Sequence, residues 1–119
     1  MTSPFKRFGT MIDCSRNAVM NIKSVKNWID ITADLGFNML MLYTEDTYEV
    51  ENQPKFGYLR GRYTIEEIKE LDTYAANKSV ELIPCIQTLG HLNQLFYRGG
   101  YSDVHDIDDI LLVGEEKTY

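Results

Sequence analysis

The sequence predicts an α/β fold with parallel strands. Three short apolar segments, each followed by polar residues, alternate with two segments of helical periodicity. Strand, helix, strand, helix and strand at this spacing favour parallel strands joined by right-handed crossovers. The 119 residues fit one domain, residues 1–119. They are too few for a complete eight-stranded α/β barrel, which needs about 250 residues.

The first strand and helix are predicted from residues 9–36. Gly9–Cys14 is a short apolar strand, and Ser24 is the predicted N-cap of the helix that follows. Gly36 is predicted at the C′ position, where glycine takes a positive φ at little cost. The helix presents one stripe of residues at helical spacing: Val25, Trp28, Ile29, Thr32 and Leu35.

The second strand and helix are separated by a long loop. Phe37–Tyr43 is almost continuously apolar, which is typical of a strand covered on both faces. After a loop from Thr44 to Tyr63, Thr64 and Glu67 have the spacing of a capping box. The second helix buries a predicted stripe of Ile65, Ile68, Leu71 and Ala75.

The third strand is predicted at Val80–Ile86. Pro84 has no N–H for the ladder, so it requires a strand end, a sheet edge or a bulge. The tail, Gly114–Tyr119, resembles the first turn of a helix. Because one helical turn is unstable in water, we expect the chain to be a piece of a longer polypeptide.

Composition and segment lengths exclude several classes of protein. Twelve basic against 18 acidic residues give a net charge of −6, which disfavours a nucleic-acid binder. The longest apolar run, Met39–Tyr43, is far shorter than the ~20 residues of a membrane span. No apolar segment follows the charges of Lys6 and Arg7, so we do not expect the first residues to act as a secretory signal. A cytoplasmic location is therefore expected. Cys14 and Cys85 lie on the predicted first and third strands, about 9.6 Å apart, too far for a disulfide.

Polar side chains follow all three predicted strands. Because the carboxyl ends of parallel strands meet at one rim, we expect these clusters to face each other. Taken singly, each has an ordinary explanation: a surface ion pair, a solvated loop entrance or a structural histidine. Their coincidence at successive strand ends favours a functional site. The clusters are Asp13 with Arg16, Glu45 with Asp46, and Gln87 with His91.

These strand-end motifs resemble a known family. Asp13–Arg16, Thr44–Asp46 and Pro84–His91 resemble, in order and spacing, the first three strand-end motifs of glycoside hydrolase family 20, the β-N-acetylhexosaminidases. The resemblance covers roughly residues 8–119. It implies a partial TIM barrel, about three consecutive βα units from the N-terminal part of the catalytic domain.

The resemblance also implies roles for individual residues. Arg16 matches the arginine that hydrogen-bonds sugar hydroxyls. Asp13 and Asp46 are the other two residues expected to bind the substrate. Glu45 matches a carboxylate, usually aspartate, that bonds to the histidine matched by His91. This pair would set the charge and orientation of the general acid. The implied reaction removes terminal β-linked N-acetylhexosamine with retention, through attack by the substrate's own acetamido oxygen and without a cofactor or metal.

The sequence departs from the family pattern at several positions. Asn17 replaces a histidine that often follows the arginine, and the third motif differs at Cys85, Gln87 and Leu89. The chain also has no Asp-Glu dipeptide, the pair that the family uses for catalysis. Since general-acid help typically contributes 10²- to 10⁴-fold, the chain alone is predicted to be inactive. The acidic segment 103–109 is interpreted as a solvated loop.

The sequence is also compatible with two other functions. The chain could be a non-catalytic half-barrel that binds carbohydrate or assembles with copies of itself through its open sheet edges. It could also belong to another α/β-barrel hydrolase with similar strand ends.

Overall fold

The structure, a computed structural model, describes residues 4–97 and 99–119. Strands and helices alternate along the chain, as the apolar periodicity predicts, and a short third helix follows the last strand. The elements are β1 (Gly9–Asp13), α1 (Ile22–Asp34), β2 (Met39–Thr44), α2 (Ile65–Asn77), β3 (Glu81–Ile86) and α3 (Asn93–Tyr97). Two 3₁₀ turns follow, at Ser102–Val104 and Glu116–Thr118.

The three strands form one parallel sheet in the order β1, β2, β3. This confirms the predicted α/β class and its parallel connections. The ladder places Asp13 opposite Tyr43, and Tyr43 opposite Cys85, at the carboxyl end of the sheet. β3 is an edge strand, which is where Pro84 can lack an N–H without breaking an interior ladder.

The N-cap of helix α1 lies three residues before the predicted one. Asn21 is the N-cap, and its side-chain oxygen accepts a 2.9 Å hydrogen bond from the backbone N–H of Ser24. The prediction of Ser24 was wrong because asparagine is at least as good a cap, and the earlier start packs Ile22 against the core. Gly36 has φ +85°, as predicted, whereas Leu35 is 70% exposed and lies outside the buried stripe.

Helix α2 has the predicted start. Thr64 accepts from the backbone N–H of Glu67 at 3.1 Å, and the Glu67 carboxylate accepts from the backbone N–H of Thr64 at 2.9 Å. This capping box satisfies two N–H groups that the first turn leaves unpaired. Leu71 and Ala75 are fully buried, but Ile65 is exposed.

The main core lies between one face of the sheet and both long helices. Burial alternates along β2: Leu40, Leu42 and Thr44 are buried, while Met39, Met41 and Tyr43 are half-buried. The expectation of a strand covered on both faces therefore holds fully for one face and in part for the other. Both helices pack on the same face, so the other face has only partial cover. The cluster contains Cys14, Val25, Ile29, Leu40, Leu42, Tyr63, Leu71, Ala75 and Val80.

A second, smaller core follows β3. Leu92, Leu95, Tyr101 and Val104 are buried together, and a bridge pairs His105 with Leu111. The sequence analysis assigned no element to residues 92–102 and interpreted 103–109 as a solvated loop, but Val104 of that segment is buried. Within the part of the chain that the structure describes, no helix is long and apolar enough to cross a bilayer. Those residues also contain no cluster of three or more side chains suited to a metal ion.

Candidate functional site

The first strand end carries an arginine fixed by a carboxylate. Arg16 Nη1 lies 2.7 Å from Asp13 Oδ2, and the other carboxylate oxygen, Oδ1, accepts from the Ser15 amide at 2.8 Å and the Ser15 hydroxyl at 2.7 Å. The Arg16 side chain is 63% exposed. Its guanidinium therefore keeps free donors directed to solvent while one nitrogen is anchored.

These contacts change the acidity of Asp13. Partial desolvation raises its pKa, but the hydrogen bonds from Ser15 and Arg16 outweigh desolvation and lower the pKa to about 2. The same ion pair raises the pKa of Arg16. Both members of the pair are therefore charged at neutral pH.

Tyr43 connects the three strand ends. The Arg16 guanidinium carbon lies 5.3 Å from the centroid of its ring, within cation–π range. Its hydroxyl accepts a 2.8 Å hydrogen bond from Gln87 Nε2 and donates a longer one, 3.4 Å, to Glu45 Oε1. The sequence analysis did not single out Tyr43. The available signal was its position two residues before Glu45, because alternate strand residues share a face.

Asp46, the residue after Glu45, is buried. It is 1% exposed, and its Oδ1 accepts from Arg60 Nε at 3.0 Å. A second nitrogen of Arg60 donates to the backbone carbonyl of Ser15. Asp46 and Arg60 therefore join the long loop to the segment that follows β1. In this structure the Asp46 carboxylate has no surface available to a sugar.

His91 has a different partner from the one implied by the resemblance. Its Nδ1 lies 3.9 Å from Asp109 Oδ2, and neither a hydrogen bond nor an ion pair joins it to Glu45 among the described residues. Backbone bonds from Leu92 N to Asp109 O and from Leu111 N to Leu89 O explain this placement. They attach the segment after β3 to residues 109–111.

A groove of about 660 Å³ begins beside Gln87. It runs between the loop after β2 and the second core, and its walls include the aromatic side chains of Tyr48, Phe56, Tyr101 and Tyr119. Together, the strand ends place three kinds of group at one open rim: the planar guanidinium donors of Arg16, the carboxylate acceptor of Glu45 and the phenol of Tyr43. This set can hydrogen-bond a polyhydroxylated ligand.

The chain matches a sequence model of one family. The model of the glycosyl hydrolase family 20 catalytic domain matches residues 5–102. A search of curated proteins finds no match.

Solved structures share the fold. The N-acetyl-β-hexosaminidase of Streptomyces plicatus, in complex with Thio-NAglucal, superposes with a TM-score of 0.81 at 23% identity. The family 20 β-N-acetylhexosaminidase of Streptomyces coelicolor A3(2) gives 0.82 at 22%. In both cases the match covers 97% of this chain and 28% of the other.

A third similar structure contains a sugar. The family 20 exo-β-N-acetylglucosaminidase of Vibrio harveyi, in complex with N-acetylglucosamine, gives a TM-score of 0.78 at 19% identity, over 91% of this chain and 22% of that one. The chain thus spans between a fifth and a third of the length of these enzymes.

We expect the Asp13 carboxyl to titrate near pH 2 in the folded protein. Because this pKa lies below the ordinary 3.8, the contacts of Asp13 stabilise the fold fully above about pH 4 and lose that effect as the pH falls to about 2. Carboxyl-carbon NMR measures the midpoint. Arg16→Gln should raise it towards 3.8, and Arg7→Gln, at the other end of the sheet, should leave it unchanged. A wild-type midpoint at 3.8 contradicts the assignment.

Asp46→Asn should destabilise the fold by about 3 kcal/mol, because the Arg60 guanidinium, whose side chain is 13% exposed, loses its counter-charge. Glu45→Gln is the matched control: Glu45 is only half-buried, and its variant should stay within about 0.5 kcal/mol of wild type. Urea unfolding measures both. Equal losses in the two variants would show that Asp46 and Arg60 are not a structural pair.

Proposed function

Because the chain belongs to glycosyl hydrolase family 20, we propose that its strand ends contribute part of a site for terminal β-linked N-acetylhexosamine. The observation that carries the proposal is the meeting of Arg16, Tyr43, Glu45 and Gln87 at one rim. The reaction we propose for the whole enzyme is hydrolysis with retention, through the substrate's acetamido oxygen. N-acetylglucosamine and N-acetylgalactosamine are both candidate sugars.

Each residue has a proposed role in that site. Arg16 donates to sugar hydroxyls, and Asp13 holds its guanidinium. Glu45 supplies an acceptor at the rim, and His91, after the third strand, supports the general acid as the resemblance implies. Asp46 acts indirectly by holding Arg60, and through it the loop that carries Glu45.

The 119-residue chain alone is proposed to be inactive. Its sequence has no Asp-Glu dipeptide, so no residue pair is present to orient the acetamide and to protonate the leaving oxygen. The residues that the chain does contain bind and position a sugar. Sugar affinity without turnover is therefore the expected property.

A titration with N-acetylglucosamine followed by NMR tests the proposal. The side-chain Nε resonance of Arg16 and the amide resonances of Ser15 and Glu45 should shift. Arg16→Lys should weaken binding about tenfold or more, because an ammonium group does not replace a planar fork of donors. Arg7→Lys is the control, since Arg7 is equally exposed and ion-paired but lies at the opposite end of the sheet.

A chromogenic N-acetylglucosaminide tests turnover on the same samples. No hydrolysis above buffer is expected. Turnover abolished by Arg16→Lys would overturn the proposed inactivity, and the absence of sugar-dependent shifts would overturn the sugar site itself.

A non-catalytic assembly is the second candidate. β1 and β3 are both edge strands in the described sheet, and Met11, on the face away from the helices, is 57% exposed. Unpaired parallel edges can recruit another chain. In light scattering, a defined oligomer supports this candidate, whereas a monomer that binds the sugar supports the first.

A further inference from the structure

The central strand places one side chain in contact with both neighbouring strand ends. Tyr43 is paired with Asp13 on one side and with Cys85 on the other. Its backbone carbonyl also accepts from Cys14 N at 2.9 Å, which fixes the end of β1 beside it. Because β2 lies between the two edge strands, a side chain at this level reaches the residues that follow each of them.

The ring and the hydroxyl of Tyr43 make separate contacts. The ring lies beneath the guanidinium of Arg16, at 5.3 Å from carbon to centroid. The hydroxyl accepts from Gln87 at 2.8 Å and donates towards Glu45 at 3.4 Å. The hydroxyl also interacts with the Arg16 side chain, so the ring is isolated by comparing a variant that loses only the hydroxyl with one that loses both.

Core packing does not account for this residue. Tyr43 is half-buried and belongs to neither of the two hydrophobic clusters formed by the described residues. Tyr63 provides the contrast: it is 2% exposed, lies in the main core, and donates to a backbone carbonyl, that of Met20, at 2.7 Å. The side-chain partners of Tyr43 are instead the polar groups of the rim.

We propose that Tyr43 is a positioning residue that orients Arg16, Glu45 and Gln87 before a sugar binds. The inference rests on the proposed function, because it names the residue that organises that same site. Holding flexible side chains in the binding geometry lowers the entropy that a ligand must remove on binding. Arginine gains most from this arrangement, since its long side chain has many rotamers and only one nitrogen is anchored by Asp13.

Tyr43→Phe tests the hydroxyl. It keeps the ring under Arg16 but removes the bonds to Gln87 and Glu45. The side-chain amide resonances of Gln87 should shift, the Arg16 Nε resonance should move less than in a variant that also lacks the ring, and the dissociation constant for N-acetylglucosamine should rise about three- to tenfold. Tyr58→Phe is the matched control, because Tyr58 is 58% exposed and its hydroxyl makes no hydrogen bond within the described residues.

Tyr43→Leu tests the ring. Without it, the Arg16 Nε proton should lose the ring-current shift that an aromatic face produces, and sugar affinity should fall further than in Tyr43→Phe. An unchanged Arg16 resonance in Tyr43→Leu, or wild-type sugar affinity in Tyr43→Phe, would overturn the positioning role. Circular dichroism and a urea midpoint establish that each variant is folded.

The two proposals fail in different ways. If the wild-type chain shows no sugar-dependent shift, the proposed function is wrong. The Arg16 and Gln87 resonances of the free protein then still decide whether Tyr43 holds those side chains, because that comparison uses no sugar. If the wild-type chain binds and the Tyr43 variants bind equally well, the sugar site stands and the positioning role is wrong.

Discussion

The parallel pairing of β2 with both neighbours is the constraint on which the rest of the structure depends. It aligns the carboxyl ends of three strands, so that Asp13, Tyr43 and Cys85 share one level of the sheet. The polar side chains of the rim all lie on a strand end or within three residues of one: Asp13, Arg16, Tyr43, Glu45 and Gln87. An antiparallel neighbour would send its polar cluster to the opposite end, and the site would not form.

Two kinds of interaction support that rim. Apolar burial between the sheet and both long helices stabilises one face, and the buried pair of Asp46 and Arg60 joins the loop after β2 to the segment after β1. Because the charged pair is costly to desolvate, it contributes more to fixing the relative position of these two segments than to net stability. It fixes the backbone around Arg16 and Glu45, while Arg16 stays exposed and Glu45 half-buried.

Local sequence signals predicted the elements well where short-range contacts decide the structure. The capping box of Thr64 and Glu67 and the positive φ of Gly36 depend on residues within one turn. The N-cap of α1 was misplaced because Asn21 and Ser24 are both good caps and only packing of Ile22 distinguishes them. The second core was missed because Leu92, Tyr101 and Val104 follow no single period.

The amino-acid sequence by itself determined the α/β class, the three strand ends with their polar clusters, and the family resemblance that the family match confirmed. Tertiary structure decided which partner each polar group takes. The hydrogen bond from Gln87 to Tyr43 joins residues 44 apart in the sequence, and the bond from Arg60 to the Ser15 carbonyl joins residues 45 apart. His91 lies 3.9 Å from Asp109 because backbone hydrogen bonds attach the segment after β3 to residues 109–111. Periodicity and capping are encoded within a few residues, whereas these contacts exist only once distant segments have been brought together by packing of the core.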